Sequence, residues 1–492
     1  MSDVGQPYNP KVTVAVLSHR RPTLLWRVLD AVARLDYDNF EIVVIGDQPD
    51  LSAYGLPDWL SDQIKYRAFT GANICRSRNL ALELAGGDVL AFVDDDAVPE
   101  PDWLKRIVPA FAFPGVAGAG GLVRRKDGVG VEWDGGVFDR EAVERRLPVS
   151  DDFRIFDADS QIADNEFIGT IGANSAFRRE AVLSVGGFDE SFRYYLDETD
   201  LMLRLAYAGW DAAFVRTAEV HHLRAANDAR DRLRVPRNFY EIAASKAYFC
   251  RRHLPGPDVL TALDRFRRSK LHEVDPYVRL GLIRGGERKE LQRQIKNGLV
   301  EGLSRDPGLP LSTQFSEPAF KRFVPQAIEL SVAICAGWGP KLFRSVALAR
   351  SLAAAGVNVS YFSYMPGRAA PVVQFSDGVW WHRGGTWRRG KHLNGKRLFS
   401  RAARAEAEIA RVHARRSFDL VLGHRVQVGT TAVEFPGYAG LLHVRGAPGA
   451  RLGFEKALSR LLLAAERLSP ASTRFPPSPR TEPNLDVGMM PG

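Results

Sequence analysis

The chain has 492 residues, 45% hydrophobic and 25% charged, the composition of a soluble globular protein long enough for several domains. Its three cysteines, Cys75, Cys250 and Cys335, lie far apart without a CxxC, which argues against a disulfide framework or a cysteine-zinc site and fits a reducing compartment. The net charge of +9 is local, because residues 380–416 hold eleven Lys/Arg against two Glu and leave the rest near neutral.

The start, MSDVGQPYNPKV, has no apolar stretch behind a basic one, so no signal peptide is expected. No apolar run reaches the ~18 residues needed to span a bilayer. VTVAVL (12–17) predicts a strand by its β-branched content. Pro22 suits the first turn of a helix whose Leu25, Val28, Leu29 and Val32 share one face. EIVVIG (41–46) predicts a second buried strand, ending at Asp47. ANICRSRNLALELAGG predicts a helix closed by Gly86 and Gly87, and DVLAFV (88–93) a third buried strand. Strand–helix–strand alternation implies a parallel sheet with right-handed crossovers. No strand is followed by GxGxxG or a Walker loop, so phosphates would need another device.

Residues 97–170 are less regular. A helix is expected around Arg178–Val185, closed by Gly186 and Gly187, then another over DETDLMLRLAYAGW (197–210) with an acidic first turn. AAFVRTAEVHH (212–222) reads as a strand. From about 228 to 325 the pattern is helical and highly charged. A second αβ pattern follows: strands in ELSVAICA, VNVSYFSY and DLVLGH, and a helix in FRSVALARSLAAAG. The basic segment 380–416 reads either as a solvated face or as contact with anionic lipid headgroups or another polyanion. Trp380, Trp381 and Trp387 interleave with its charges and favour an interface. No helix-turn-helix or zinc-finger pattern supports a nucleic-acid partner. After about 445 the chain has little periodicity beyond an apolar patch at 458–468, and predicts a mostly disordered tail.

Ligands of an open parallel sheet bind beyond the carboxyl ends of its strands. Three strands here end in polar residues: Ser18, Asp47 and Asp94–Asp96. Turn chemistry explains one or two aspartates, not three after a buried strand. A divalent Mg2+ or Mn2+ ion would offset their repulsion and bind substrate phosphates. Asp197, Glu198 and Asp200 at a helix start read either as an N-cap, which suits Asp197, or as a general base in a cleft. His221 and His222 are structural or metal ligands. Arg76 and Arg78 either face phosphate or are solvated.

These pieces occur together over residues 11 to about 225, which resemble a GT-A-fold glycosyltransferase of family 2. The carrying stretches are VTVAVLSHRRPTLLWRVLDAV, NFEIVVIGD, SRNLALELAGGDVLAFVDDDAVPEPDWL, GANSAFRREAVLSVGGFDE and DETDLMLRLAYAGW. The resemblance implies an α/β, Rossmann-like mostly parallel sheet flanked by helices, a nucleotide-diphosphate-sugar donor, Mn2+ or Mg2+, and inversion. It implies a glycan or lipid-linked acceptor and polysaccharide or cell-envelope biosynthesis in a bacterium; the cysteine usage, the lack of a signal peptide and the basic segment 380–416 suggest a cytoplasmic location with peripheral contact at the inner membrane face. Carried over by position, Ser18, Asp47, Arg78, Asp94 and Asp95 face the donor. Asp96 and Asp94 ligate the metal with His221, or with His222 in its place. Glu198 is the favoured base with Asp197 second, and Gly172, Ala173 and Asn174 line the acceptor side. Three departures stand out. Gly46 replaces the first of two acidic residues after strand two, His19-Arg20-Arg21 replaces Tyr-Asn-Arg, and Asp-Glu replaces Glu-Asp at the base.

Residues 329–445 more weakly resemble the first half of a family 4, GT-B glycosyltransferase. The chain after 445 is too short for the second half, so this part is not expected to work alone, and the unpatterned tail suggests truncation or a frame change. The expected division is 1–228 GT-A domain, 229–328 helical connector, 329–445 incomplete Rossmann-like domain and 446–492 tail. Competing readings are a sugar nucleotidyltransferase, which should show a Gly-rich loop that SHRRP lacks, and a non-catalytic carbohydrate-binding or scaffold protein.

Overall fold

A computed structural model describes residues 8–147, 151–311, 317–325, 329–335, 340–364, 372–384, 392–393, 396–397, 412, 416–423, 431–433, 442–446 and 452–466. The chain divides into two compact units, Met1–Pro325 and Gln326–Gly492.

The first unit opens with β1 (Val12–Leu17), α1 (Pro22–Val32), β2 (Phe40–Gly46) and β3 (Ile64–Ala68). Next come α2 (Ile74–Leu84), β4 (Val89–Asp94), β5 (Ala97–Pro99), β6 (Val116–Arg124) and β7 (Phe153–Phe156). It continues with β8 (Ser175–Arg178), α3 (Asp197–Tyr207) and β9 (Asp211–His222). The main sheet runs β7-β9-β6-β8-β4-β1-β2-β3, with β5 paired to β9. The β4-β1-β2-β3 half is parallel, as the alternation predicts. β8 enters antiparallel between β4 and β6, which makes the sheet mixed. Val12, Val14 and Val16 face one buried cluster with Leu25, Val28 and Leu29 of α1, while Ala15 faces a second with Cys75 and Leu82 of α2. Burial on both faces is why these strands read as apolar runs rather than as alternating ones.

Strand register positions the site. Leu17 pairs with Ile45 on one side and Asp94 on the other, so Ser18, Asp47 and Asp94–Asp96 leave the sheet at one edge. β5 then turns back along β9, pairing Ala97 with His222 and Val98 with His221.

Three helices follow: α4 (Tyr240–His253), α5 (Gly256–Arg279) and α6 (Gly285–Ser304). α6 lies close on α4, because a Cβ at Gly298 or Gly302 would run into the carbonyls of Tyr240 and Ala244. α4 is braced against the sheet unit. Ser245 Oγ donates to the Tyr194 carbonyl at 2.8 Å, Tyr248 OH to Asp189 at 2.7 Å, and Phe192 packs edge-on to Tyr248.

In the second unit, Ser331–Cys335 pairs in parallel with Asn358–Tyr364 and with Leu420–Gly423, and Asn358–Tyr364 with Val379–Gly384. The helix Pro340–Ala354 forms the first crossover. These strands and helices form a further α/β unit. Trp380 and Trp381 are buried in this sheet, against Phe375 and Tyr361, so two of the three tryptophans expected at an interface are core residues. Trp387 and most of the basic segment 380–416 lie outside the described residues. The apolar patch at 458–468 falls largely on a helix, Phe454–Glu466, with Ala457, Leu461 and Ala464 buried. Residues beyond Glu466 are outside those described. Among the described residues no helix is long and apolar enough to cross a membrane.

Candidate active site

The three adjacent aspartates have different surroundings. Asp95 accepts from Ser18 Oγ and from Arg21 Nη1, both at 3.0 Å, and so ties the end of β4 to the loop after β1. Asp96 accepts the Ala225 N–H at 2.7 Å and stands 3.3 Å from His222 Nε2. Asp94 turns to the space between them, and Asp94, Asp96 and His222 bring one ligand atom each within 4.8 Å of one another. Burial pushes Asp94 up to about 6, helped by Asp96, and pushes Asp95 up to about 7 against the pull of Arg21. Burial also opposes charge on Asp96, but His222 and Arg21 hold it below the usual carboxylate range. Such a set, two carboxylates and an imidazole with their charges crowded together, suits a divalent ion.

Strand geometry separates the two histidines. Successive side chains of β9 point to opposite faces. His222 faces the aspartates, with Glu132 behind it at 3.2 Å from Nδ1. His221 faces the other way and meets Glu100 at 2.7 Å. Among the described residues, the group that could hold a metal ion contains His222, while His221, the residue favoured by position, is turned to Glu100. Asp96 and Glu132 together raise the His222 pKa to about 10 against the effect of burial.

The second cluster centres on Arg78, which α2 carries into the interior. Asn73 caps that helix, its side chain accepting the Arg76 N–H at 3.1 Å. Arg76 turns outward to Glu83 and Glu190. Arg78 is 1% exposed, lies over the rings of Phe92 and Phe188, and spans Asp197 (Nη1–Oδ2 2.7 Å) and Glu198 through Nη2. Burial opposes its charge, but the two carboxylates hold its pKa above the ordinary value. Burial drives the Asp197 carboxyl well up, against the pull of Arg78. Burial opposes charge on Glu198 too, but Arg78 and the Asp197 carboxyl hold it below the usual carboxylate range.

Asp197 is the first helical residue and not the N-cap expected of it. The cap position is Leu196, and both Tyr195 (φ 75°) and Leu196 (φ 65°) are left-handed. That backbone costs on the order of 1–3 kcal/mol per residue and persists only where the surroundings enforce it. Here the half-buried Tyr195 ring, packed against the core, and the Ser245–Tyr194 bond do so, and the outcome is that Asp197 and Glu198 face Arg78. Asp200 points away and pairs with Arg204 and His253.

The predicted acceptor residues divide. A Cβ at Gly172 would stand 2.5 Å from both Arg78 Nη2 and Glu198 Oε1 and 3.6 Å from Asp94 Oδ1, so this glycine lies between the two clusters. Ala173 is buried in the core. Asn174 is fully buried, donating to Leu122 and Ala218 carbonyls and accepting from Trp103 Nε1. Its amide is thus committed to partners within the core. We predict that Gly172→Ala destabilises the protein by about 1–3 kcal/mol through overpacking and lowers activity more than stability. Urea unfolding beside a transfer assay checks it. Asp47 holds the loop after β1 by accepting the N–H of Arg20, a left-handed residue at φ 58°, at 2.8 Å. The glycine before it is steric, since a Cβ at Gly46 would meet the hydroxyls of Tyr54 and Tyr66. Glu132 and Arg21 were not anticipated as site residues. Neither sits at a strand end that sequence patterning marks.

Residues 13–186 match the family model described as Glycosyl transferase family 2, so the family resemblance holds over that segment. The mixed α/β architecture with its curled, largely parallel sheet is the GT-A nucleotide-sugar transferase fold. The chain is 28% identical over 182 residues to a glucosyl-dolichyl phosphate glucuronosyltransferase of Haloferax volcanii, covering 36% of this chain and 55% of the relative. It is 27% identical over 231 residues to the O-antigen biosynthesis protein RfbC of Myxococcus xanthus, covering 45% and 18%. It is 31% identical over 119 residues to the succinoglycan biosynthesis protein ExoM of Rhizobium meliloti, covering 23% and 38%. The chain thus spans about half, or less, of the length of these curated relatives. Among solved structures, a mannosyltransferase from Pyrobaculum calidifontis in complex with GDP-Man and Mn2+ overlaps 60% of this chain and 88% of its own at 16% identity. The TM-score of 0.35 is too low to bear on ligand or metal.

Proposed function

We propose that the first unit transfers a sugar from a nucleotide-diphosphate-sugar to an acceptor hydroxyl, with inversion and with a divalent metal bound. The observation that carries this reading is the convergence of two clusters around Gly172. One is the acidic set Asp94, Asp96 and His222; the other is an ionised Glu198 pinned by Arg78. Family membership of residues 13–186 and the relatives' activities point the same way.

Asp94, Asp96 and His222 would hold Mn2+ or Mg2+, and the donor set fits either ion. Bound there, the ion supplies charge stabilisation to the leaving diphosphate. Ser18, Asp47 and Asp95 stand on the nucleoside side of the edge, with Ser18 and Asp95 locked together. Glu198 takes the acceptor proton as the hydroxyl attacks the face opposite the leaving group, and Asp197 and Arg78 keep Glu198 oriented. Arg78 is committed to both carboxylates, so we assign it to positioning the base and not to direct donor contact. The acceptor is a glycan or a lipid-linked sugar, the latter being the acceptor class in the Haloferax relative's name. Residues 329–445 are proposed as half of a GT-B-like unit attached to this transferase.

A screen of UDP-, GDP- and dTDP-sugars with Mn2+ or Mg2+, read as nucleotide release, tests the proposal. Turnover of one donor that stops with EDTA and returns with metal is the expected result; no turnover of any donor with any glycan or lipid-linked acceptor defeats it. Asp96→Ala and His222→Ala should each lower that activity about 100-fold or more and raise the metal concentration needed. His221→Ala should leave the metal requirement unchanged.

A further inference from the structure

The imidazole of His222 is held from both sides. Nε2 stands 3.3 Å from Asp96 Oδ1, on the side of the acidic set, and Nδ1 stands 3.2 Å from Glu132 Oε1. Glu132 sits on a short strand, Val131–Trp133, which pairs with β6 along the edge that β9 leaves open. Its side chain is only 10% exposed. Oε2 is buried and takes no hydrogen bond among the described residues, while Oε1 serves both His222 and Arg224 Nε, the latter at 3.1 Å. A buried carboxylate satisfied so incompletely costs the fold more than it returns. Glu219 on β9 is the contrast, since the Arg124 guanidinium takes both of its oxygens.

We propose that Glu132 is a positioning residue for His222: it accepts the Nδ1 proton, fixes the ring, and turns Nε2 to the ion held with Asp94 and Asp96. This rests on the metal-dependent reading above and deepens it. An imidazole that ligates through Nε2 carries its one proton on Nδ1. A carboxylate at that proton sets tautomer and orientation together and makes Nε2 a stronger donor. Arg224 fastens the carboxylate in turn. It is left-handed at φ 53° and lies between two bonds to Asp96, from the Leu223 N–H to the carbonyl at 2.8 Å and from the Ala225 N–H to Oδ2 at 2.7 Å. Glu132 is therefore tied to the same stretch of backbone that braces Asp96, and the two ligands are held in one frame.

The test is binding of Mn2+ alone to the full chain, read from the EPR signal of the free ion. Glu132→Ala should weaken Mn2+ about 10–100-fold. Glu132→Gln, whose amide oxygen still accepts from Nδ1, should lie within about five-fold of the wild type. In a His222→Ala background, Glu132→Ala should cause no further loss, because the imidazole it positions is gone. Arg224→Gln, whose side chain is 42% exposed, should weaken Mn2+ by less than about three-fold. Thermal unfolding in EDTA confirms that each variant is folded, and Glu132→Met, of similar volume and without an acceptor, gives the same reading if the alanine variant does not fold. Wild-type affinity in Glu132→Ala overturns the inference. So does an undiminished loss in the His222→Ala background, or an equal loss in Arg224→Gln, which would mean that Glu132 acts through the loop. These three results leave the transferase reading standing. A wild-type chain that takes up no Mn2+ defeats both the metal reading and this inference.

Discussion

Glu198→Gln should lower kcat by about 10²–10⁴-fold, the usual contribution of a positioned general base, with the fold intact. The contrast with Asp197 makes this sharp. Both carboxylates touch Arg78, but the Glu198 side chain is 14% exposed and that of Asp197 only 3%, so Glu198 reaches the cleft and Asp197 backs it. The two carboxyls are also driven apart: burial raises that of Asp197, and Arg78 lowers that of Glu198. Asparagine at 197 still offers a donor to Glu198, so Asp197→Asn should retain activity within about ten-fold. Glutamine at 198 removes the negative charge that balances Arg78, and Asp197 can ionise in its place, which preserves the fold. Nucleotide release at saturating donor and metal measures the rates, and thermal unfolding checks the fold. If Asp197→Asn is dead and Glu198→Gln active, the roles are reversed.

What the sequence disclosed follows from how each signal arises. β1, β2 and β4 were legible because burial on both faces leaves an unbroken apolar run, and the polar residue after each marks the ligand edge. β6, VAGAGGLVR, was hidden because its glycines answer to tertiary contact and not to strand propensity. A Cβ at Gly118 would press on Met202, and one at Gly121 on Asn174 and the Ala218 carbonyl. The choice between His221 and His222 needed the β5–β9 register, which lies outside any local pattern. Asn174 was placed on the acceptor side by motif position, while its amide is spent on the core. Arg78 was visible as a basic residue near a helix start. Its partners lie about 120 residues away in the chain, so sequence alone could not distinguish phosphate binding from positioning of the base.

The acidic run that supplies the base also supplies a structural anchor, and a single substitution should separate the two. Asp200 is fully buried and joins α3 to α4: Oδ2 accepts from Arg204 at 2.7 Å, and Oδ1 meets His253 at 2.8 Å and Arg252 at 3.5 Å. Arg204 in turn holds the carbonyls of Val185 and Gly187, which close the helix before the site. Asp200→Asn keeps the shape but leaves buried cations without their anion, which should cost about 3–5 kcal/mol. Its pH dependence has a definite sign. Burial opposes the Asp200 charge, but Arg204 and His253 outweigh it and set the folded pKa below the unfolded value of about 3.9. The stabilisation is therefore fully present above that value and lost as pH falls through the lower folded pKa. The gap in urea midpoint between wild type and Asp200→Asn should hold at neutral pH and close in strong acid. While folded, the variant should still turn over donor, because Asp200 faces α4 and not the cleft. A variant of wild-type stability with no activity would place Asp200 in the chemistry instead.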